Sequence, residues 1–285
     1  AIHTSVLVSL LGGAAVAGIG ELLAAPLLGL LNVPEEVLPL ALLYLRIYLA
    51  GMPVILLYNF EAAVFRSVGE TRIPLIALAT SGILNMALNL FFVAVLGMTV
   101  NGVAIATVIS NAVSAALLFH RLCRSTGAIR LDPRHLRLDG PTLRRILRIG
   151  LPGALAVFFE VSLFALSALL LAPLGKVIVA GHQIAMNFAG MVFMLPLSLN
   201  ITVAIRVGQN LGAGRLERAR LSARTALCLG LGLALLTMTT TLCLRPQIAQ
   251  IYNSDPAVLG LAVGLLVFAA VNQIPESLHK INWLL

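Results

Sequence analysis

Charge is scarce in this chain. Only 11% of its residues are Asp, Glu, Lys or Arg, and 11 of its 285 residues are acidic. So little charge cannot solvate a sequence that is 60% hydrophobic with a mean hydropathy of +1.02, which excludes an ordinary water-soluble domain. Cysteine is nearly missing too. Cys123, Cys228 and Cys243 are odd in number and lack paired metal-ligand spacing, so no disulfide framework or zinc site is indicated and packing roles are expected. There is no GxxxxGK[ST] loop and no HExxH pair, and glycine-rich stretches such as LGLGLA lie inside apolar runs rather than between a strand and a helix. Nucleotide and zinc chemistry are therefore without support, and no enzyme is expected. The opening AIHTSVLVSL lacks a basic n-region, which argues against a cleavable signal and reads as a start in mid-protein.

What is present is one apolar run after another, each long enough for the roughly 20 helical residues that cross a bilayer core. The expected fold class is an all-α membrane protein, a polytopic bundle with spans at about 4–31, 36–65, 73–97, 101–121, 147–172, 178–206, 219–244 and 257–278. Helices are the economical choice because they satisfy their own backbone in lipid, and the period-2 alternation of a barrel is missing. Arg121, Arg124, Arg130, Arg134, Arg137, Arg144, Arg145 and Arg148 crowd one connection, and Arg206, Arg215, Arg218, Arg220 and Arg224 another. Two spans separate them, so they share a side with Arg66 and Arg72, opposite Glu35 and Glu36. By the positive-inside rule that side is cytoplasmic, in an inner (plasma) membrane. These arginines lie between spans without interleaved aromatics, so the basic balance reads as a topology signal and no nucleic-acid partner is expected. The segment 122–146, with Pro133, Gly140 and Pro141, reads as a linker between a partial N-terminal lobe (1–121) and a partial C-terminal lobe (147–285).

Small residues at helical spacing, Gly102, Ala106, Ser110 and Ser114, then Gly181, Ala185 and Ala189, give faces on which helices can approach closely. An internal repeat adds more. The segment from Leu22 aligns with that from Thr241 at a shift of roughly 220 residues, pairing Pro26 with Pro246, Asn32 with Asn253, and Val37 and Leu38 with Val258 and Leu259. That period predicts two further helices at each end, so that the eight spans are the middle of twelve in two lobes.

Glu160 is the only ionisable side chain between Leu151 and Pro173. A carboxylate near the centre of a membrane helix costs roughly 2.5 to 3.5 kcal/mol on insertion scales and usually marks an ion, proton or substrate path. Glu276 follows Pro275 near the end of the last span, where Pro275 is expected to kink or end the helix; the alternative for Glu276 is an interfacial carboxylate near Lys280. Asn85 and Asn89 share a face of the third span, with cavity lining and interhelical glue as alternatives. Gln183 and Asn187 are likewise one turn apart. Glu61, near Arg66 at the cytoplasmic end of its span, is given little functional weight, and His182, at a helix start on the outer side of the membrane, is read as incidental.

GLPGALAVFFEVSLFALSALLLAPLG and VAGHQIAMNFAGMVFMLPLSLNITVAIRVGQNLGAG closely resemble the seventh and eighth helices of the multidrug and toxic compound extrusion (MATE) transporters, in their NorM-like branch. YLRIYLAGMPVILLYNFEAAVFRSVGETRIPL and SGILNMALNLFF resemble helices four and five, closer to the DinF-like branch. The resemblance implies a monomeric cation-coupled antiporter in the lipid bilayer, exporting small organic cations against Na+ or H+ by alternating access and needing no other cofactor. It implies that Glu160 and Glu276 are the cation and substrate carboxylates, and the Na+ ligands if sodium is coupled. Asn272 stands where an aromatic is expected. Gln183 and Asn187 are implied to line the same cavity, and Asn85 and Asn89 that of the N-terminal lobe. A lipid-linked saccharide flippase of the same superfamily would want cationic side chains within the spans, whereas the intramembrane charges read here as acidic. A membrane enzyme and an inactive fragment are the remaining alternatives; a chain holding eight helices of twelve is not expected to export drugs alone.

Overall fold

The computed structural model describes residues 2–30, 35–126 and 129–282, and among these every regular element is helical. The elements are α1 (Ile2–Leu30), α2 (Leu38–Ala50), α3 (Met52–Ser67), α4 (Arg72–Leu90), α5 (Val100–Arg124), α6 (Gly140–Leu171), α7 (Lys176–Gly212), α8 (Leu216–Tyr252) and α9 (Pro256–Asn282). Seven helices are long and apolar enough to cross a membrane, and α2 with α3 makes an eighth span. That span is bent by 45°. Pro53, in the first turn of α3, has no N–H to give the carbonyl of Leu49, and its ring crowds that carbonyl. The predicted span 73–97 is α4 followed by a wider π turn over Phe91–Val95, closed by the Leu96 amide on the Phe91 carbonyl at 3.1 Å.

The chain divides into two compact units, Ala1–Pro152 and Gly153–Leu285. In the first, α1, α3 and α5 share a core of Val6, Tyr58, Ala62, Phe65, Leu118 and Leu122. The small face of α5 is what lets its neighbours approach: Ala106, Ser110 and Ser114 are all buried. The arginine-rich segment 125–139 belongs to this unit rather than hanging free as a linker. Leu131 is 1% exposed and lies in the core, the Asp132 amide donates to Nε2 of His3 at 3.1 Å, and the Asp139 amide donates to the Thr4 hydroxyl at 3.3 Å. An apolar anchor and two polar ties on α1 thus hold a segment whose charge alone suggested a solvated loop.

In the second unit α7, α8 and α9 pack around Ile184, Ala249, Val258, Ala262 and Leu266. Gly181 faces Leu261 of α9 so closely that a Cβ there would come within 2.9 Å of its Cδ2. The repeat partners Pro26 and Pro246 sit inside α1 and α8, and Asn253 ends α8, whereas Asn32 lies outside the described residues. Cys123 packs against the first core, but Cys228 and Cys243 are exposed, contrary to the packing role expected of them. Residues such as Leu22 and Ile251, 79% and 82% exposed, need lipid rather than water around them.

Candidate functional site

Within the second unit, residues of α6, α7 and α9 line an open cavity of about 720 Å³. That volume falls in the range of small-molecule sites. Its lining follows from helical spacing. Glu160 and Phe164 are one turn apart on α6; His182, Met186 and Gly190 form an i, i+4, i+8 stripe on α7; Phe268, Asn272 and Glu276 do the same on α9. Ala185, Ala189 and Gly190 keep the α7 wall low, and Phe164, Phe193 and Phe268 make the remaining walls apolar. Two half-buried carboxyls and one imidazole are therefore set in a largely hydrocarbon enclosure. An environment of that kind favours an organic cation, because apolar walls take the body of the ligand while the acids take its charge.

One expectation for Glu276 was that Pro275 ends its helix. Instead α9 runs through Pro275 to Asn282 and carries Glu276 onto the cavity wall. Pro275 leaves the carbonyl of Val271 without its helical donor, a local cost that the surrounding helix tolerates. His182, read from sequence as facing outward, lines the same cavity. The signal that could have found it is the 182–186–190 spacing of the α7 stripe.

Gln183 and Asn187 are not on this wall. One residue round the helix from the stripe, both are exposed: Gln183 borders a groove with Lys176, and Asn187 accepts a hydrogen bond from the Tyr252 hydroxyl at 3.3 Å. Asn85 and Asn89 are engaged along the α4–α5 seam. The Asn85 amide donates across to Thr107 Oγ1 of α5 at 3.4 Å and to Ser110 Oγ at 3.3 Å, whereas the Asn89 amide donates within α4 to Asn85 Oδ1 at 3.0 Å. Gln273, just before Pro275, is buried and donates to Thr241 Oγ1 of α8 at 3.3 Å. The spans are also less purely acidic than they read from sequence, since Arg46 of α2 lies 3.2 Å from Glu21 of α1. That pair cancels locally. Among the described residues, no group of three or more His, Cys, Asp or Glu side chains is arranged to hold a metal ion.

Comparison with known proteins turns this geometry into a family assignment. The MatE family model matches residues 1–91 and 152–281, well over half of the chain. The chain belongs to the MatE family. Members of this family are membrane transporters and not enzymes. Solved structures agree at the level of fold. An outward-facing multidrug resistance MATE transporter of the MOP superfamily superposes with a TM-score of 0.87 at 21% identity, over 99% of this chain and 63% of its own. A MOP-superfamily transporter from Pyrococcus furiosus gives 0.84 at 22% over 99% and 67%, and a mutant MATE transporter of Vibrio cholerae gives 0.81 at 24% over 97% and 66%. The MatE chain described here thus spans about two thirds of the length of the transporters it resembles.

Proposed function

We propose that this MatE chain carries the cation site of a cation-coupled antiporter that exports small organic cations, with Na+ or H+ as the coupling ion. The observation that carries the reading is the single cavity, apolar in its walls, onto which Glu160 and Glu276 both open from different helices. An organic cation and a coupling ion compete there for the same carboxylates, so binding one weakens binding of the other, and alternating access converts that competition into exchange. His182 gives the cavity a third titratable group. The protein acts as a monomer in the inner membrane, with its arginine-rich connections in the cytoplasm.

The test has two parts. Ethidium binding to the chain in lipid nanodiscs, followed by fluorescence, is expected to weaken about tenfold or more in Glu160→Gln, the loss of one charge contact worth roughly 1.4 kcal/mol. In cells expressing the complete transporter, the same substitution is expected to abolish ion-coupled ethidium efflux. Unchanged binding together with unchanged efflux would remove Glu160 from the mechanism.

A further inference from the structure

Glu61 of α3 has no role in the cavity of the second unit, yet it is the most deeply buried charged residue type among the described side chains. It is 1% exposed, and neither carboxyl oxygen has a hydrogen-bond partner. It belongs to the packed stripe of its helix, Tyr58, Glu61, Ala62 and Phe65, whose other members enter the core with Val6, Leu118 and Leu122. Arg66, near it at the same helix end, makes no hydrogen bond to it. Nor do the elements packed against α3 supply a cation. His3 of α1 is occupied by the Asp132 amide, Arg46 of α2 is paired with Glu21, and Arg72 of α4 and Arg121 and Arg124 of α5 are exposed. The one titratable neighbour within electrostatic reach on α5 is the thiol of Cys123.

An isolated carboxylate without partners in such a place is too costly to keep, and a carboxyl resolves that cost by taking up a proton. A hard metal cation would not substitute, because it needs several oxygen ligands and the stripe is packed among hydrocarbon side chains. We propose that Glu61 is a proton-binding site of the first unit, held as the neutral carboxylic acid while α1, α3 and α5 are packed together. Releasing the proton leaves a charge that the packed core cannot hold, so deprotonation requires α3 to part from α1 or α5 and expose the carboxylate to water. Proton occupancy at Glu61 and packing of the first unit are therefore one linked equilibrium, independent of whether Glu160 and Glu276 bind cations.

Infrared spectroscopy of the 285-residue chain in nanodiscs near neutral pH tests this directly. The native protein is expected to show a carboxylic-acid C=O band that Glu61→Gln removes and Glu160→Gln leaves in place. In the wild type alone, the same band is expected to disappear when the chain is unfolded in detergent at unchanged pH, because an exposed glutamate ionises; this arm holds even if the Gln variant fails to fold. A native spectrum without the acid band, acid-band intensity that Glu61→Gln leaves undiminished, or a band that survives unfolding at full intensity would each overturn the proposal.

Discussion

Two glycines show how closely the helices approach and how differently two close contacts respond to one added methyl group. A Cβ at Gly13 of α1 would run into the backbone of Pro53, its Cα first and then its nitrogen at 2.8 Å, and a backbone at a helix start cannot step aside. A Cβ at Gly181 of α7 would meet the end of the Leu261 side chain, which can turn. Gly13→Ala is expected to destabilise the protein by about 1 to 3 kcal/mol, and Gly181→Ala by less than about 1 kcal/mol. Reversible unfolding in SDS would measure the difference, and equal losses would contradict the contact geometry. At this scale, legibility in the sequence depended on contrast. Glu160 stood out because nothing ionisable surrounds it, and the cavity contains it. His182 did not stand out, because an imidazole beside a helix start has no distinguishing neighbours in one dimension. Glu61 was given little weight because it stands near Arg66 at a span end, and only packing shows that it is buried with neither carboxyl oxygen partnered. Gln183 and Asn187 failed the other way: polar spacing of one turn identifies a shared face but not which neighbour that face meets.

Elements were more legible than their interruptions. The apolar runs predicted every span, but the bend between α2 and α3 and the π turn after α4 arise from single backbone hydrogen bonds that hydropathy does not register. Pro53→Ala restores an N–H for the Leu49 carbonyl, so the 45° bend is expected to open and spin labels at Leu43 and Val68, both exposed, to move apart. An unchanged distance would assign the bend to tertiary packing instead. Segment 125–139 makes a second prediction. The Arg134 amide, and then the His135 ring, hold the Asp132 carboxyl below the usual carboxylate range; the Thr142 hydroxyl, and then its amide, do the same for Asp139 at the start of α6. Folding therefore lowers the proton affinity of both groups. Their contribution is present in full above the unfolded value of about 3.9 and is lost as pH falls through the lower folded values. Amide hydrogen exchange at Arg134 and Thr142, corrected for its intrinsic pH dependence, is expected to speed up on acidification, and Asp139→Asn to show the faster exchange at Thr142 already at neutral pH.

For the whole molecule, sequence and structure comparisons leave different gaps, and the difference is informative. The family model skips residues 92–151, which hold α5 and the arginine-rich segment, while the solved transporters superpose on 97–99% of the chain. The fold thus continues through α5, whose Ala106, Ser110 and Ser114 are buried at its seam, and through the following segment anchored by Leu131. Charge, by contrast, is governed by the bilayer. Counting α2 and α3 as one crossing, the order of the spans along the chain is expected to put Arg66, Arg72, Arg130, Arg134, Arg137 and Arg215 on one side of the membrane and Glu35, Glu36 and Asp255 on the other. Arginines in short connections near span ends resist translocation, whereas acids contribute little, so the first side is expected in the cytoplasm. A variant with Cys123, Cys228 and Cys243 replaced by Ser can carry a single reporter at Glu36→Cys or Arg130→Cys, both exposed positions. In intact spheroplasts a membrane-impermeant maleimide is expected to label the first and not the second, and lysis to make both reactive. The opposite pattern would invert the protein in its membrane. The Glu61 end of α3, which shares its side with Arg66, would then take its proton from the exterior rather than from the cytoplasm.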